Sequence, residues 1–140
     1  MPFQQRDAAA IANIRRGGYV LSDASAPRAV IIGTGSELQL AMAAKEKLAA
    51  EGIAVRVVSM PSTSLFDRQD AAYRDAVLPR GVPRVSVEAG VTEGWHKYVG
   101  LDGVAIGLDR FGESAPGGEL FKYFGFTPEK VVSAVKSVIK

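Results

Sequence analysis

The stretch Ala29-Val30-Ile31-Ile32-Gly33-Thr34-Gly35-Ser36 decides the fold of this chain. Its first four residues are apolar and three of them are β-branched, which is typical of a strand that is buried on both faces. Two glycines follow within three residues, and apolar side chains then recur at helical spacing from Leu38 to Ala49. The sequence therefore predicts a strand, a tight glycine turn and a helix, which together form the repeating unit of an α/β protein.

Residue signals mark both ends of this predicted helix. Ser36 is followed three residues later by Gln39, which fits a capping box, where each side chain bonds the free backbone N–H of the other residue. Gly52 can end the helix, because glycine adopts left-handed backbone without steric cost. We therefore expect the helix to begin at Ser36 and to end just before Gly52.

Four further apolar runs predict strands around this unit. Tyr19–Leu21 is short and a turn-rich segment joins it to Ala29, so it predicts an antiparallel strand that pairs with the first strand as a hairpin. The other three runs are typical of parallel strands and lie at residues 54–59, 84–88 and 103–108. Helical patterns cover residues 64–78, 95–99, 118–124 and 128–139. The predicted fold is a three-layer α/β/α domain with a mostly parallel five-stranded sheet, four strands parallel and one antiparallel.

The last helix carries the clearest signals. Thr127 is placed as its cap and Pro128 stands at the first helical position, where the missing N–H of proline costs nothing. Val131, Val135 and Val138 fall on one side, so we expect this side to face the sheet.

The chain has the length and composition of one domain. Its 140 residues are 47% hydrophobic, which allows a proper core. Asp7–Ile14 predicts a short helix, and the pair Gly17-Gly18 then breaks the helical pattern. We interpret residues 1–17 as a linker or docking arm and residues 18–140 as one α/β domain.

Composition argues against several classes of function. Seventeen Lys and Arg stand against 15 Asp and Glu, and the two signs are mixed along the chain, so no basic patch for nucleic acid emerges. The absence of cysteine excludes disulfides, thiolate metal sites and cysteine nucleophiles, and a single histidine argues against an ordinary zinc site. No targeting segment and no apolar run of membrane-spanning length is found, so we expect a cytoplasmic protein without a membrane partner.

The turn Gly33, Thr34, Gly35, Ser36 is a candidate weak anion site. Between a strand and a helix, free backbone N–H groups and the positive end of the helix dipole converge on one point. Leu38, however, replaces the third glycine of the dinucleotide fingerprint, and Ser59-Met60 offers no acid for a ribose. The turn is therefore either a weak anion site or only a tight turn and helix cap.

The carboxyl ends of the parallel strands should meet at one edge of the sheet, where α/β proteins bind ligands. The side chains expected near one another at this edge are those of Thr34, Ser59, Glu88, Asp109 and Arg110. Glu88 either belongs to a ligand site or is a structural carboxylate that accepts backbone N–H groups or pairs with Arg110. We favour the structural interpretation, because such pairs also shift carboxylates in purely architectural settings.

Two further features have a functional and a plain interpretation. His96, Ser114 and Glu88 suggest a hydrolase triad, but no Gly-x-Ser-x-Gly elbow exposes a nucleophile, so an exposed or interface histidine is the better interpretation. The loop 110–118 combines charges, an aromatic residue and turn formers, so it is either a contact with another domain or subunit or a long turn.

Six separated segments resemble the carboxy-terminal domain of bacterial transketolases, in the same order along the chain. They are Arg16–Leu21, Gly33–Glu37, Val57–Ser62, Phe66-Asp67, Val87–Ala89 and Phe111–Pro116. The resemblance extends from Ala8 to Lys140. Several motifs in order are far more specific than any one of them.

The resemblance implies a homodimeric parent enzyme that needs thiamine diphosphate and a divalent metal, Mg²⁺ or Ca²⁺. Such an enzyme transfers a two-carbon ketol unit between sugar phosphates in the pentose phosphate pathway. In that family an amino-terminal domain binds metal and diphosphate through a Gly-Asp-Gly motif, and a glutamate of the middle domain activates the cofactor. Gly100-Leu101-Asp102-Gly103 does not match that motif, and Arg6 does not match the family's phosphate-contacting arginine. No catalytic, cofactor-binding or metal-binding residue is therefore carried over.

We interpret the chain as a structural and assembly domain of a transketolase that is inactive by itself and can also serve regulation. Its expected partners are the remaining transketolase domains and the second subunit, and the fragment itself is expected to hold no cofactor. The alternative is a free-standing anion- or nucleotide-binding α/β module that uses Gly33–Ser36. The missing third glycine and the missing ribose acid favour the first interpretation.

Overall fold

A computed structural model describes residues 8–88, 92–107 and 126–139. The strands in these ranges are β1 (Tyr19–Ser22), β2 (Ala29–Gly33), β3 (Val55–Ser59), β4 (Arg84–Val87) and β5 (Val104–Ile106). The α-helices in these ranges are α1 (Ala8–Ile14), α2 (Leu38–Ala50), α3 (Thr63–Asp67), α4 (Ala71–Val77), α5 (His96–Val99) and α6 (Pro128–Val138). Short 3-10 turns at Gly35–Glu37 and Glu93–Trp95 lead into α2 and α5.

The strands form one sheet in the order β1-β3-β2-β4-β5. β2 runs parallel to both of its neighbours and β4 runs parallel to β5, whereas β1 is antiparallel to β3. The predicted mixed sheet is therefore confirmed. All five residues of β2 are buried, as expected for a central strand with a continuously apolar sequence.

The predicted hairpin between β1 and β2 is wrong. β1 pairs with β3 instead, with Tyr19 opposite Ser59 and Val20 opposite Val58. Both edges of β2 are occupied by its parallel partners β3 and β4, so the edge that remains for β1 lies on β3.

An ion pair holds the segment that follows β1 against β3. Arg56 Nε lies 2.8 Å from Asp23 Oδ1, and the same guanidinium donates to the carbonyl oxygens of Ala76 and Val77. The hydrogen bond from Arg56 lowers the pKa of the Asp23 carboxyl. Arg56 thus joins the edge of the sheet to the carboxyl end of α4.

Helices cover both faces of the sheet, which completes the predicted α/β/α layers. On one face, α2 and α6 pack aliphatic side chains on the sheet, and this cluster includes Leu48, Val131, Val135, Ile31 and Val57. On the other face, α3, α4 and α5 pack aromatic and aliphatic side chains, which include Phe66, Tyr98, Val77, Val30 and Ile32.

The two ends of α2 give opposite outcomes for the sequence prediction. The capping box is wrong, because Glu37 is the N-cap of α2, without a side-chain cap bond, and Ser36 lies inside the preceding 3-10 turn. The glycine cap is confirmed, since Gly52 has a φ of +77°. The N–H groups of Gly52 and Ile53 bond the carbonyl oxygens of Ala49 and Leu48 at 2.9 Å each, as in a Schellman motif.

The helix α6 matches its prediction closely. Thr127 Oγ1 accepts a hydrogen bond from the Lys130 N–H at 3.2 Å, and Pro128 stands at the first helical position. Val131 and Val135 are buried, while Val138 is partly buried against the same core.

Some predictions fall outside the described residues. These are the helix at 118–124, the loop at 110–118, Asp109, Arg110 and Ser114. The predicted short amino-terminal helix is confirmed over Ala8–Ile14, while the division into an arm of residues 1–17 and a domain of residues 18–140 stays a prediction. Within the described ranges, no helix has the length and apolarity that crossing a membrane requires.

Candidate functional site

The glycine turn after β2 has the predicted position, and its backbone combines an extended residue with a left-handed one. Thr34 is extended, with φ −142° and ψ 148°, and Gly35 is left-handed, with φ +59°. A Cβ atom on Gly33 would lie 3.2 Å from Leu38 Cδ2, so Leu38 closes the turn where a nucleotide-binding site has a third glycine. The turn brings Gly33, Thr34, Gly35 and Ser36 together as the sequence predicted.

A buried carboxylate stands at this turn. Glu37 is 7% exposed, and its Oε2 accepts a hydrogen bond from Ser36 Oγ at 3.3 Å. A negative group at the amino end of α2 interacts favourably with the helix dipole, and it repels a second anion at the same place. The weak anion site at residues 33–36 stays a prediction, and Glu37 lowers the affinity that we expect of it.

The carboxyl edge of the sheet contains a cleft of about 340 Å³. The described residues that line it are Thr34, Met60, Pro61, Ser62, Thr63, Ser64, Glu88, Gly94 and Trp95. Thr34 and Glu88 therefore meet here as predicted, whereas Ser59 is buried and does not line the cleft. Asp109 and Arg110 lie outside the described residues.

Glu88 is held by a partner that the sequence analysis did not identify. The Trp95 indole N–H donates to Glu88 Oε2 across the loop that joins β4 to α5. The predicted partner Arg110 lies outside the described residues, so the choice between a ligand site and a structural carboxylate stays open for Glu88. A buried tryptophan needs an acceptor for its indole N–H, so the sequence indicates that Trp95 has a partner but does not identify Glu88 as that partner.

The hydrolase triad finds no support in the described residues. His96 is exposed at the start of α5 and does not line the cleft, whereas its neighbour Trp95 does. Ser114 lies outside the described residues. An exposed histidine next to an aromatic anchor is thus the interpretation that agrees with the geometry.

A polar cluster that the sequence analysis missed joins α3 to α5. Tyr98 Oη donates to Asp67 at 2.9 Å, and Lys97 Nζ lies 2.6 Å from Asp67 Oδ2. Burial alone would raise the pKa of Asp67, but the hydrogen bonds from Lys97 and Tyr98 outweigh burial and lower it. Burial and the bond to Asp67 raise the pKa of the Tyr98 hydroxyl. The cluster fixes α5, and with it the neighbouring Trp95, against α3.

Arg84 of β4 also joins neighbouring elements through hydrogen bonds. Its guanidinium donates to the carbonyl oxygens of Tyr98 and Leu78 at 2.8 Å each, so it satisfies free carbonyl groups near the carboxyl ends of α5 and α4. Burial lowers the pKa of the Arg84 guanidinium. Within the described residues, the contacts of this arginine join β4 to the carboxyl ends of α4 and α5.

The segment that precedes β1 is fixed to α3 and α4 by close backbone contacts. Gly17 has a φ of +84°, its carbonyl oxygen accepts from the Ser62 N–H at 3.0 Å, and a Cβ atom at Gly17 would overlap backbone atoms of Ser62 and Phe66. Tyr73 Oη donates to the Gly18 carbonyl oxygen at 2.7 Å, and the Arg16 guanidinium lies 4.6 Å from the Tyr73 ring centroid. The connection between α1 and β1 is therefore docked and not loose.

Comparison with known proteins gives a consistent set of relatives. The family model described as the transketolase-like TK C-terminal domain matches residues 17–127. Transketolase 1 of Vibrio cholerae is 59% identical over 138 residues, which cover 97% of this chain and 21% of that protein. Transketolase 1 of Escherichia coli K12 is 56% identical over 138 residues, with the same coverage of 97% and 21%.

Two solved structures that superpose on this chain are also transketolases. The transketolase from Leishmania mexicana superposes with a TM-score of 0.87 at 46% identity, over 93% of this chain and 19% of that chain. The transketolase from Campylobacter jejuni gives a TM-score of 0.80 at 31% identity, over 89% of this chain and 19% of that chain. This chain thus spans about one fifth of the length of the relatives that it matches. It belongs to the transketolase C-terminal domain family.

Proposed function

We propose that this chain is a structural and assembly domain of a transketolase and that it has no ketol-transfer activity by itself. The observation that carries the proposal is the coverage: the match takes in 97% of this chain but only 21% of its Vibrio relative. The parent enzyme would transfer a two-carbon ketol unit between sugar phosphates in the pentose phosphate pathway of the cytoplasm. This chain would supply a folded unit on which the remaining domains are positioned.

The core supports a role as an independent folding unit. Helices cover both faces of the sheet within the described residues, and the buried side chains on each face form one contact cluster. A sheet that is covered on both faces does not need another domain to shield it from water. The domain is therefore expected to fold before or without the rest of a transketolase.

The surface supports a role in assembly. Four large apolar side chains are exposed in the described ranges, namely Ile11, Leu21, Leu65 and Leu101. Leu101 is fully exposed on the loop between α5 and β5. Apolar groups of this kind can contact the remaining transketolase domains or the second subunit of a homodimer, which are the partners we propose.

The described residues do not fit the cofactors of the parent enzyme. In these ranges no group of three His, Cys, Asp or Glu side chains could hold a metal ion such as Mg²⁺ or Ca²⁺. At the glycine turn, the carboxylate of Glu37 stands where the diphosphate of thiamine diphosphate would need a positive environment.

Activity and cofactor binding of the purified chain test the proposal. A coupled assay with xylulose 5-phosphate and ribose 5-phosphate should give no turnover above the blank when this chain is the sole enzyme. Calorimetry with thiamine diphosphate and magnesium should show no heat of binding. Ketol transfer by the chain alone would disprove the proposal.

A further inference from the structure

The cleft at the carboxyl edge of the sheet has a polar lining that the proposed function does not use. It lies between Thr34 after β2, the start of α3 after β3, and Glu88 after β4. Its volume of about 340 Å³ falls within the range of small-molecule pockets, at the small end. Ligands of parallel α/β proteins commonly bind at this edge.

The polar groups of the cleft select for hydroxyl groups on a ligand. Thr34, Ser62, Thr63 and Ser64 line the cleft and carry side-chain hydroxyls, which both donate and accept hydrogen bonds. Glu88 contributes a carboxylate, which only accepts when it is ionised. No Lys, Arg or His occurs among the described residues that line the cleft, so nothing in this lining neutralises an anionic ligand.

Three hydrogen bonds hold these groups in place before any ligand binds. The Trp95 indole N–H donates to Glu88 Oε2, which fixes the carboxylate against the wall of the cleft. Ser62 Oγ accepts from the Leu65 N–H at 3.3 Å and lies 3.3 Å from Ser64 Oγ. A lining that is already ordered loses little entropy when a ligand binds.

Apolar surface stands beside the polar groups. Met60, Pro61 and Trp95 also line the cleft, although Met60 and Trp95 are only 2% and 6% exposed. A ring-shaped polyol presents hydroxyl groups at its rim and C–H groups on its faces, so it can use both kinds of surface at once. A compact ammonium ion would use the single carboxylate and leave the hydroxyls and the apolar wall without a role.

We propose that this cleft is a binding site for a small neutral polyol of the sugar class. The contacts are hydrogen bonds from ligand hydroxyls to Glu88, further hydrogen bonds with Thr34 and Ser64, and packing of ligand C–H groups on Trp95 and Met60. This site does not depend on ketol transfer and would exist in the isolated chain.

The chain offers a direct signal for this site, because Trp95 is its single tryptophan. Titration of the 140-residue chain with D-ribose should change the indole fluorescence along a saturating curve. Backbone amide shifts in NMR should change most at Thr34, Glu88 and Gly94. Inorganic phosphate and ammonium chloride, titrated separately, should give no saturating change at these positions.

Matched variants locate the binding. Glu88→Gln should weaken ribose binding about tenfold, since a hydrogen bond to a charged group is worth about 1.5–3 kcal/mol and 1.4 kcal/mol is a factor of ten. Glu46→Gln makes the same chemical change on the exposed side of α2 and should leave binding unchanged. Thr34→Val removes one hydroxyl with little change in shape and should weaken binding as well, which provides a second readout should Glu88→Gln impair folding.

The outcomes separate the proposal from its rivals. An unchanged spectrum up to the highest soluble ribose concentration would overturn it. Equal binding by wild type and both cleft variants would place the ribose elsewhere and would also overturn it. Saturating shifts at Thr34 and Glu88 with phosphate or ammonium, and none with ribose, would assign the cleft to an ion.

Discussion

The two faces of the sheet are held by different kinds of interaction. The face under α2 and α6 is the aliphatic face, where the buried apolar side chains are Ala, Val, Ile and Leu together with Phe126. The face under α3, α4 and α5 is the aromatic face, where three aromatic side chains each donate a hydrogen bond to another element. Tyr73 bonds the Gly18 carbonyl oxygen, Tyr98 bonds Asp67, and Trp95 bonds Glu88.

This difference separates stability from positioning. Aliphatic contacts are non-directional, so the first face contributes free energy of folding without setting any polar group in a defined place. Hydrogen bonds are directional, so the second face fixes the docked segment before β1, the helix α5 and the carboxylate of the cleft. Changes on the first face should therefore lower global stability, and changes on the second should also alter local geometry.

The largest expected effect is the loss of α6 from the aliphatic face. Removal of residues 127–140 exposes the sheet that Val131 and Val135 cover. Full burial of one such side chain is worth about 1.5–3 kcal/mol, so two of them account for about 3–6 kcal/mol of a typical total of about 5–15 kcal/mol. Thermal unfolding by circular dichroism should show a large drop in the melting temperature or no folded baseline. An unchanged melting temperature would mean that α6 does not pack on the sheet.

A smaller loss of stability is expected from substitution of Gly17, where the docked segment before β1 meets α3. Gly17→Ala strains a left-handed residue and forces a methyl group against Ser62 and Phe66, for about 1–2 kcal/mol of strain and about 1–3 kcal/mol of overpacking. Gly52→Ala is the matched control, because its φ is +77° but a Cβ atom there meets nothing within 4 Å. Urea unfolding should therefore show a greater loss for Gly17→Ala than for Gly52→Ala. Equal losses would show that residues 16–18 are not tightly docked.

Substitutions in the polar cluster of the aromatic face should each lower the free energy of unfolding by about 1–2 kcal/mol. The contribution of this cluster to stability should also depend on pH. Asp67→Asn and Tyr98→Phe each remove part of the same hydrogen-bond group, so their double mutant should lose less than the sum of the two. Because the folded state lowers the pKa of Asp67, its contribution is fully present above its ordinary pKa of about 3.9 and is lost as pH falls further. Asp67→Asn should thus unfold with a flatter dependence on pH at the acid end. Additive losses with parallel pH curves would contradict the coupling.

The smallest effect is expected at Ser86, inside the aromatic face. Ser86 is fully buried, and its Oγ has no hydrogen-bond partner among the residues that the structure describes. Ser86→Ala removes an unsatisfied hydroxyl, so the free energy of unfolding should stay the same or rise by about 0.5–1 kcal/mol. Thr127→Ala is the contrast, because that hydroxyl caps α6 and its loss costs about 1 kcal/mol. A clear loss of stability for Ser86→Ala would mean that its hydroxyl does have a partner.

Local signals predicted those parts of the fold that local contacts decide. Thr127-Pro128 and Gly52 mark helix ends correctly, because a cap needs only neighbouring backbone groups. At Ser36, packing of Leu38 on Gly33 and burial of Glu37 override the capping box. The hairpin failed for a similar reason, since the pairing of β1 depends on which sheet edge the distant strands leave open.

The position of the cleft could be predicted from the sequence, but the hydrogen-bond partners of its side chains could not. Parallel strands bring Thr34 and Glu88 to one edge by topology alone, and the sequence shows the strands. The bond from Trp95 to Glu88 and the cluster around Asp67 depend on how α3 and α5 pack on the aromatic face. Side-chain partners across two short helices carry no periodic signal in the sequence, so they could not be identified beforehand.

Assembly with the rest of a transketolase tests the central claim most directly. A transketolase shortened by its carboxy-terminal domain would be mixed with this chain, and complex formation would be followed by light scattering together with ketol transfer. We expect a complex whose ketol-transfer activity exceeds that of the shortened enzyme, while this chain alone stays inactive. Ketol transfer by this chain alone, or the absence of both a complex and any gain in activity, would contradict the account.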